Sequence, residues 1–120
     1  MRRQQCEAGV AMIQHHDPGI NSLRDVTMEM LDKYVKHDAV VYDRCSFIVA
    51  EMQRLQEACS DLQQSDIRSF GKHMFETHIG LSKLYEVSCP ELDILVDLVK
   101  SNPAVVGARM MGGGFGGCTI

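Results

Sequence analysis

The chain has no excess of positive charge: 12 Lys and Arg face 16 Asp and Glu, for a formal net charge of -4. No Lys/Arg cluster or stripe breaks that balance, which excludes a protein that grips nucleic acid by neutralising its phosphates. Long apolar runs are missing as well; the longest are a few residues, against the roughly 20 that a bilayer-crossing helix needs. There is no charged start followed by an apolar stretch and a small-residue cleavage site, so no secretory signal is read and the cytoplasm is the expected compartment. Five cysteines, at positions 6, 45, 59, 89 and 118, form no C-x-x-C or C-x-x-H pair. Their odd number and wide spacing exclude a disulfide framework and a zinc site, and predict free, mostly buried thiols in a reducing setting. The 45% of hydrophobic residues suits one modest core in a chain of 120 residues.

What the sequence does hold is a succession of helical patterns. Cys6, Val10 and Ile13 keep three-to-four spacing over 2–14, and the stretch stops at His16-Asp17-Pro18-Gly19, a turn by composition. Ser22 with Asp25 reads as a capping pair, and Thr27 as the cap of a helix over 27–37 that carries Met28, Leu31 and Val35. Val41, Cys45, Ile48, Met52, Leu55, Cys59 and Leu62 then follow steps of four and three. They predict one apolar stripe on a helix over 40–62, about 33 Å long at the usual rise. Flanking charges do not alternate as a coiled-coil partner would require, so an intramolecular layer is the expectation. Ser65-Asp66 opens a further helix over 66–86 with Ile67, Phe70, Met74, Leu81 and Tyr85 on its buried face and His78 on or near it. Ser88-Cys89-Pro90-Glu91 reads as a capping box for a helix over 90–101, burying Leu92, Leu95, Val96 and Val99.

After Pro103 the pattern changes. Residues 104–111 predict a strand weakened by its glycines and alanines. Gly112-Gly113-Gly114-Phe115-Gly116-Gly117 forms a loop, and Cys118-Thr119-Ile120 begins another strand. Five glycines in six residues let main-chain N–H groups turn towards one point, a concavity that receives anionic oxygens. Neither G-x-G-x-x-G between strand and helix nor G-x-x-x-x-G-K-[ST] is present, and a plain hairpin connection is the competing reading. His73 and His78 are five apart, about 140° round a helix, and do not share a metal-binding face; no metal ligand is predicted. The carboxylates are scattered over polar helix faces, and no Ser/His/Asp or Cys/His order marks a nucleophile. No catalytic residue is predicted in this chain.

Taken together, several stretches resemble the galactokinases, members of the kinase superfamily that includes homoserine, mevalonate and phosphomevalonate kinases. Ser88-Cys89-Pro90-Glu91-Leu92-Asp93, followed by Val106-Gly107-Ala108-Arg109-Met110-Met111 and the glycine loop to Thr119, resembles that family's third motif and the helix before it. Glu76-Thr77-His78 is similar to its E-S-H, Tyr85-Glu86-Val87-Ser88 to its Y-E-V-S, Arg2-Arg3-Gln4-Gln5-Cys6-Glu7 to its R-R-x-Q-C-E, and Ser22-Leu23-Arg24-Asp25-Val26 to its S-L-R-x-V. The order of motifs agrees over nearly the whole chain. Met111 departs from the pattern, standing where the family commonly has Thr.

The resemblance implies an α+β fold: helices of the C-terminal lobe of a sugar kinase, with a short β-hairpin around the glycine loop and a last strand cut short. It implies transfer of the γ-phosphoryl group of ATP, with Mg²⁺, to the 1-hydroxyl of galactose. Residues Gly112, Gly113, Gly114, Phe115, Gly116 and Gly117 would lie near the nucleotide phosphates. The family's sugar signature, S-S-S-A nucleotide loop, catalytic Asp and Arg and Mg²⁺ ligands are not in these residues. The expectation is therefore a partial C-terminal domain that is inactive alone, with ATP and galactose as partners of the longer protein. Self-association through exposed strand or helix faces is a further expectation. The alternatives are a galactokinase-like sensor that binds without transferring phosphate, or a helical self-association module.

Overall fold

The computed structural model describes all residues, Met1 to Ile120, and the chain packs as two compact units, 1–53 and 54–120. Composition pointed to one core; the structure has two. No helix is long and apolar enough to cross a membrane.

In the first unit, helix α1 (Arg2–Gln14) leads through the 16–19 turn to a single 3₁₀ turn, Leu23–Asp25. Asp17 sets the turn by accepting the Gly19 N–H at 3.1 Å. The expected Ser22/Asp25 pair caps the 3₁₀ turn: Ser22 Oγ accepts from Arg24 N–H at 3.2 Å, and Asp25 accepts the Asn21 and Ser22 amides at 3.0 Å each. Those amides, Asn21 first, hold the Asp25 carboxyl below the usual carboxylate range. Thr27 Oγ1 accepts from Met30 N–H at 3.3 Å and opens α2 (Met28–Tyr34). This helix stops three residues before the expected His37, because Asp38 Oδ1 accepts the Val41 amide and opens α3 (Ala39–Gln63).

Ile13, Ile20, Leu23, Val26, Leu31, Val35, Val41 and Cys45 form this unit's core. Helix α1 lies so close to α3 that a Cβ on Gly9 would collide with Cys45 Sγ. The Cys45 thiol is buried beside Cys6, and the Cys6 interaction and burial together push its pKa up. Of the other cysteines, Cys6 and Cys89 are half-buried while Cys59 and Cys118 are exposed, so the expectation of mostly buried thiols is corrected.

The stripe on α3 also needs correction. Val41 and Cys45 are buried and Ile48 and Met52 half-buried, but Leu55 is 63% and Leu62 48% exposed, with Cys59 exposed between them. In the second unit α3 presents a different face, Arg54, Glu57 and Asp61, to α4 (Ile67–Lys83). Residues at that spacing share one side of a helix, and here the side is ionic. Arg54 lies 3.5 Å from Glu76, and His73 lies 3.3 Å from Asp61 and 3.9 Å from Glu57.

Asp66 caps α4 by accepting the Ser69 amide at 3.0 Å. The helix ends at Lys83 instead of 86, and Glu86 takes a left-handed φ of 52° as the chain turns. Its buried positions are Gly71, Thr77, His78 and Gly80; Ile67, expected inside, is 47% exposed. Gly71 abuts the main chain of Val106–Gly107 so closely that a Cβ would overlap the Val106 carbonyl. That close approach explains why 104–107 is not a strand: the segment lies on α4 with no partner strand alongside it. The strand expected over 104–111 shrinks to β1 (Met110–Met111), paired antiparallel with β2 (Cys118–Thr119) in the register Met110↔Thr119 and Met111↔Cys118. Arg109 and Ile120 exchange two further main-chain hydrogen bonds at 2.9 Å.

Helix α5 (Pro90–Lys100) buries Leu92 and Val96 but leaves Leu95 49%, Ile94 57% and Leu98 69% exposed. Its expected capping box does not form. Cys89 is the N-cap without a side-chain cap bond, and Ser88 Oγ donates instead to Asp93 Oδ1 at 2.6 Å. Glu91 accepts its own amide and then the Cys89 thiol, which lowers its pKa. Val87, Leu92 and Met110 make the second core, with Leu81, Tyr85 and Cys89 against it.

Candidate functional site

The glycine hairpin between β1 and β2 is mostly exposed and holds a run of main-chain donors. Gly112, Gly114 and Gly116 take φ of 88°, 85° and 115°, with Phe115 at 58°, so the chain reverses through left-handed conformations that glycine adopts freely. The amides of Gly112, Gly113, Gly114, Gly116 and Gly117 find no acceptor within the chain. Phe115 differs. Its N–H donates to the Val87 carbonyl at 2.8 Å, while its ring is 71% exposed. Of the six residues expected to form the site, five therefore offer free donors and the sixth ties the loop tip down. The tie works because Gly114 has no side chain: a Cβ there would run into Val87 O.

At the other end of the hairpin, Met110 N–H donates to His78 Nδ1 at 3.1 Å in a buried setting. Accepting that bond fixes the tautomer, since Nδ1 must carry a lone pair and the ring proton sits on Nε2. Asp93 Oδ1 is 3.1 Å from Nε2, close enough for attraction but off the N–H axis, so Nε2 has no aligned hydrogen bond. Asp93 also accepts Ser82 Oγ at 2.8 Å and Ser88 Oγ at 2.6 Å. Burial pushes its carboxyl pKa up, but the Ser88 and Ser82 hydroxyls, with the His78 ring and Lys83 nearby, outweigh it and leave the pKa lowered.

Sequence reasoning named the loop and missed this support. The signals are present in the sequence but point elsewhere: Ser88 reads as a cap, and His78 falls near a buried face with no partner in view. His73, the other histidine of α4, sits instead among Asp61, Glu57 and Glu76. No three His, Cys, Asp or Glu residues converge so as to hold a metal ion. In the first unit a cavity of about 740 Å³ is lined by Arg3, Cys6 and Glu7 from α1, Ser22 to Arg24, and Ile48 and Met52. Two of the stretches that carried the family resemblance thus meet at one surface.

Helices carrying a two-stranded glycine hairpin, five of whose loop amides have no partner within the chain, make up the second unit; its class is that of the C-terminal lobes of small-molecule kinases. Residues 55–120 match the GHMP kinases C terminal family, and the chain belongs to it. It is 43% identical to galactokinase of Bos taurus and 42% identical to galactokinase of Homo sapiens, in each case over all of this chain and 30% of the relative. The crystal structure of Lactococcus lactis galactokinase complexed with galactose superimposes with a TM-score of 0.90 at 30% identity, covering 98% of this chain and 31% of that one. The chain spans about a third of the length of the relatives it matches.

Proposed function

We propose that this chain is the glycine-loop portion of the C-terminal lobe of a galactokinase, which transfers the γ-phosphoryl group of ATP to the 1-hydroxyl of galactose in the cytoplasm. The observation that carries the reading is the set of five unpaired loop amides at Gly112, Gly113, Gly114, Gly116 and Gly117, within a chain aligned to galactokinases along its whole length. Phosphoryl transfer spreads negative charge over non-bridging oxygens, and fixed N–H dipoles stabilise that charge without having to reorganise. Mg²⁺ accompanies the triphosphate as its counter-ion, and no residue of this chain is assigned to it. Phe115 belongs to the site by position alone, because its amide is taken by Val87. The galactose contacts and the catalytic groups belong to the remainder of such an enzyme.

Two measurements test this. Inorganic tripolyphosphate titrated into the ¹⁵N-labelled chain shifts the five glycine amides and leaves Phe115 and the first unit unmoved; shifts spread over all surface amides, or none at all, refute the phosphate role. ADP release with ATP and galactose stays at the no-protein blank for this chain and appears when the reading frame supplies the rest of the enzyme. Absence of turnover in the longer protein favours a sensor instead.

A further inference from the structure

We propose that His78 and Asp93 are positioning residues of the glycine hairpin: a buried tether that fixes its base while Val87 fixes its tip. The consequence for phosphate binding rests on the function proposed above; the tether itself does not.

A two-stranded hairpin is marginal by itself in water, and this one has two paired residues on each strand plus the Arg109–Ile120 exchange. Five of its six loop amides make no internal hydrogen bond, so the loop's shape is not set from within. It is set from below at two points. Met110 N–H enters His78 Nδ1 at 3.1 Å where the imidazole is 5% exposed, and Phe115 N–H enters Val87 O at 2.8 Å. Asp93 links the two points. It stands 3.1 Å from His78 Nε2, and it accepts Ser88 Oγ at 2.6 Å, the side chain next in sequence to Val87. Ser82 Oγ at 2.8 Å ties the same carboxylate back to α4. One carboxylate therefore coordinates the helix that carries the imidazole with the strap that carries the carbonyl.

The tether is tested on the ¹⁵N-labelled chain. The wild type shows a through-hydrogen-bond coupling between His78 Nδ1 and the Met110 amide nitrogen; absence of that coupling overturns the proposal. His78→Leu fills the space without an acceptor, whereas His78→Asn keeps an oxygen close to the Nδ1 position. Met110 amide exchange rises about tenfold in His78→Leu, the loss of one buried hydrogen bond, and returns most of the way to wild type in His78→Asn. Loop relaxation follows the same order, with Gly112–Gly117 more mobile in His78→Leu and in Asp93→Asn. If both histidine variants are equally impaired, His78 is packing alone; if Met110 responds while the glycines do not, the tether does not reach the loop. Should His78→Leu fail to fold, the wild-type coupling and the His78→Asn exchange still decide. Tripolyphosphate added to each variant separates the two claims. A wild type blind to it with the tether intact refutes only the phosphate role, and unchanged affinity in His78→Leu refutes only positioning.

Discussion

Alanine placed in turn at three consecutive glycines separates the physical demands on the hairpin. Gly113 has ordinary backbone sign and no atom within 4 Å of an added Cβ. Gly112 has φ of 88° and equally open surroundings, while Gly114 combines φ of 85° with a Cβ driven into Val87 O. Gly113→Ala removes unfolded-chain freedom at no native cost and is expected to be neutral or to stabilise by about 0.4 kcal/mol. Gly112→Ala carries only the left-handed penalty, roughly 1–2 kcal/mol. Gly114→Ala carries that penalty and also breaks the Phe115–Val87 hydrogen bond, a further ~0.5–1.5 kcal/mol, for about 1.5–3.5 kcal/mol in total. The sum has a ceiling, because the loop can release Val87 and relax. Urea unfolding followed by circular dichroism reads these differences as midpoint shifts at constant slope. Equal losses at 112 and 114 would show that the Val87 contact contributes nothing. A loss at 113 as large as at 114 would remove the backbone argument altogether.

Two other outcomes follow from the packing. Gly71→Ala drives a Cβ into the Val106 carbonyl, and backbone cannot yield as a side-chain end can, so a loss of about 1–3 kcal/mol is expected in thermal or urea unfolding; a neutral result would refute the close approach. Because the folded pKa of Asp93 is lowered, its contribution to stability is complete above the unfolded carboxyl pKa of about 3.9 and is lost as pH falls through the folded value. Asp93→Asn therefore destabilises at neutral pH and flattens the acid limb of the stability–pH curve; a variant with the wild-type acid limb would assign that limb to other carboxylates.

Elements set by local chemistry were legible in the sequence. Thr27, Asp66 and the Ser22/Asp25 pair cap where they stand because a short polar side chain needs only its own neighbouring amides. The glycine loop was legible because no other composition tolerates three successive left-handed residues so readily. Features set by distant partners were not. Leu55 and Leu62 continue the period begun by Val41, yet the face of α3 that meets α4 is chosen by Arg54, Glu57 and Asp61 finding His73 and Glu76. Val105 and Val106 have strand character, but Gly71 draws the segment that holds them onto a helix. Ser88 precedes Pro90 and Glu91 as a cap should, and a carboxylate five residues on captures its hydroxyl.

The same division accounts for the form of the site. A loop that offers its amides to an anion cannot also use them to hold itself, so every donor left for a ligand is one withdrawn from the hairpin's own stability. Glycine worsens the difficulty, since it has the most conformational freedom to lose. The restraint must then come from groups behind the loop that take few of its donors. Here two amides, Met110 and Phe115, are given up inward, to an imidazole and a carbonyl, and five make no internal hydrogen bond. The imidazole serves because it accepts at Nδ1 while Nε2 faces a carboxylate, a combination that a neutral apolar side chain of equal size cannot supply. Substitutions at 78 and 93 should thus alter the loop's order before they alter the helices around it, whereas substitutions at Leu92 or Val96, which fill the core and α5, should act on the unit as a whole.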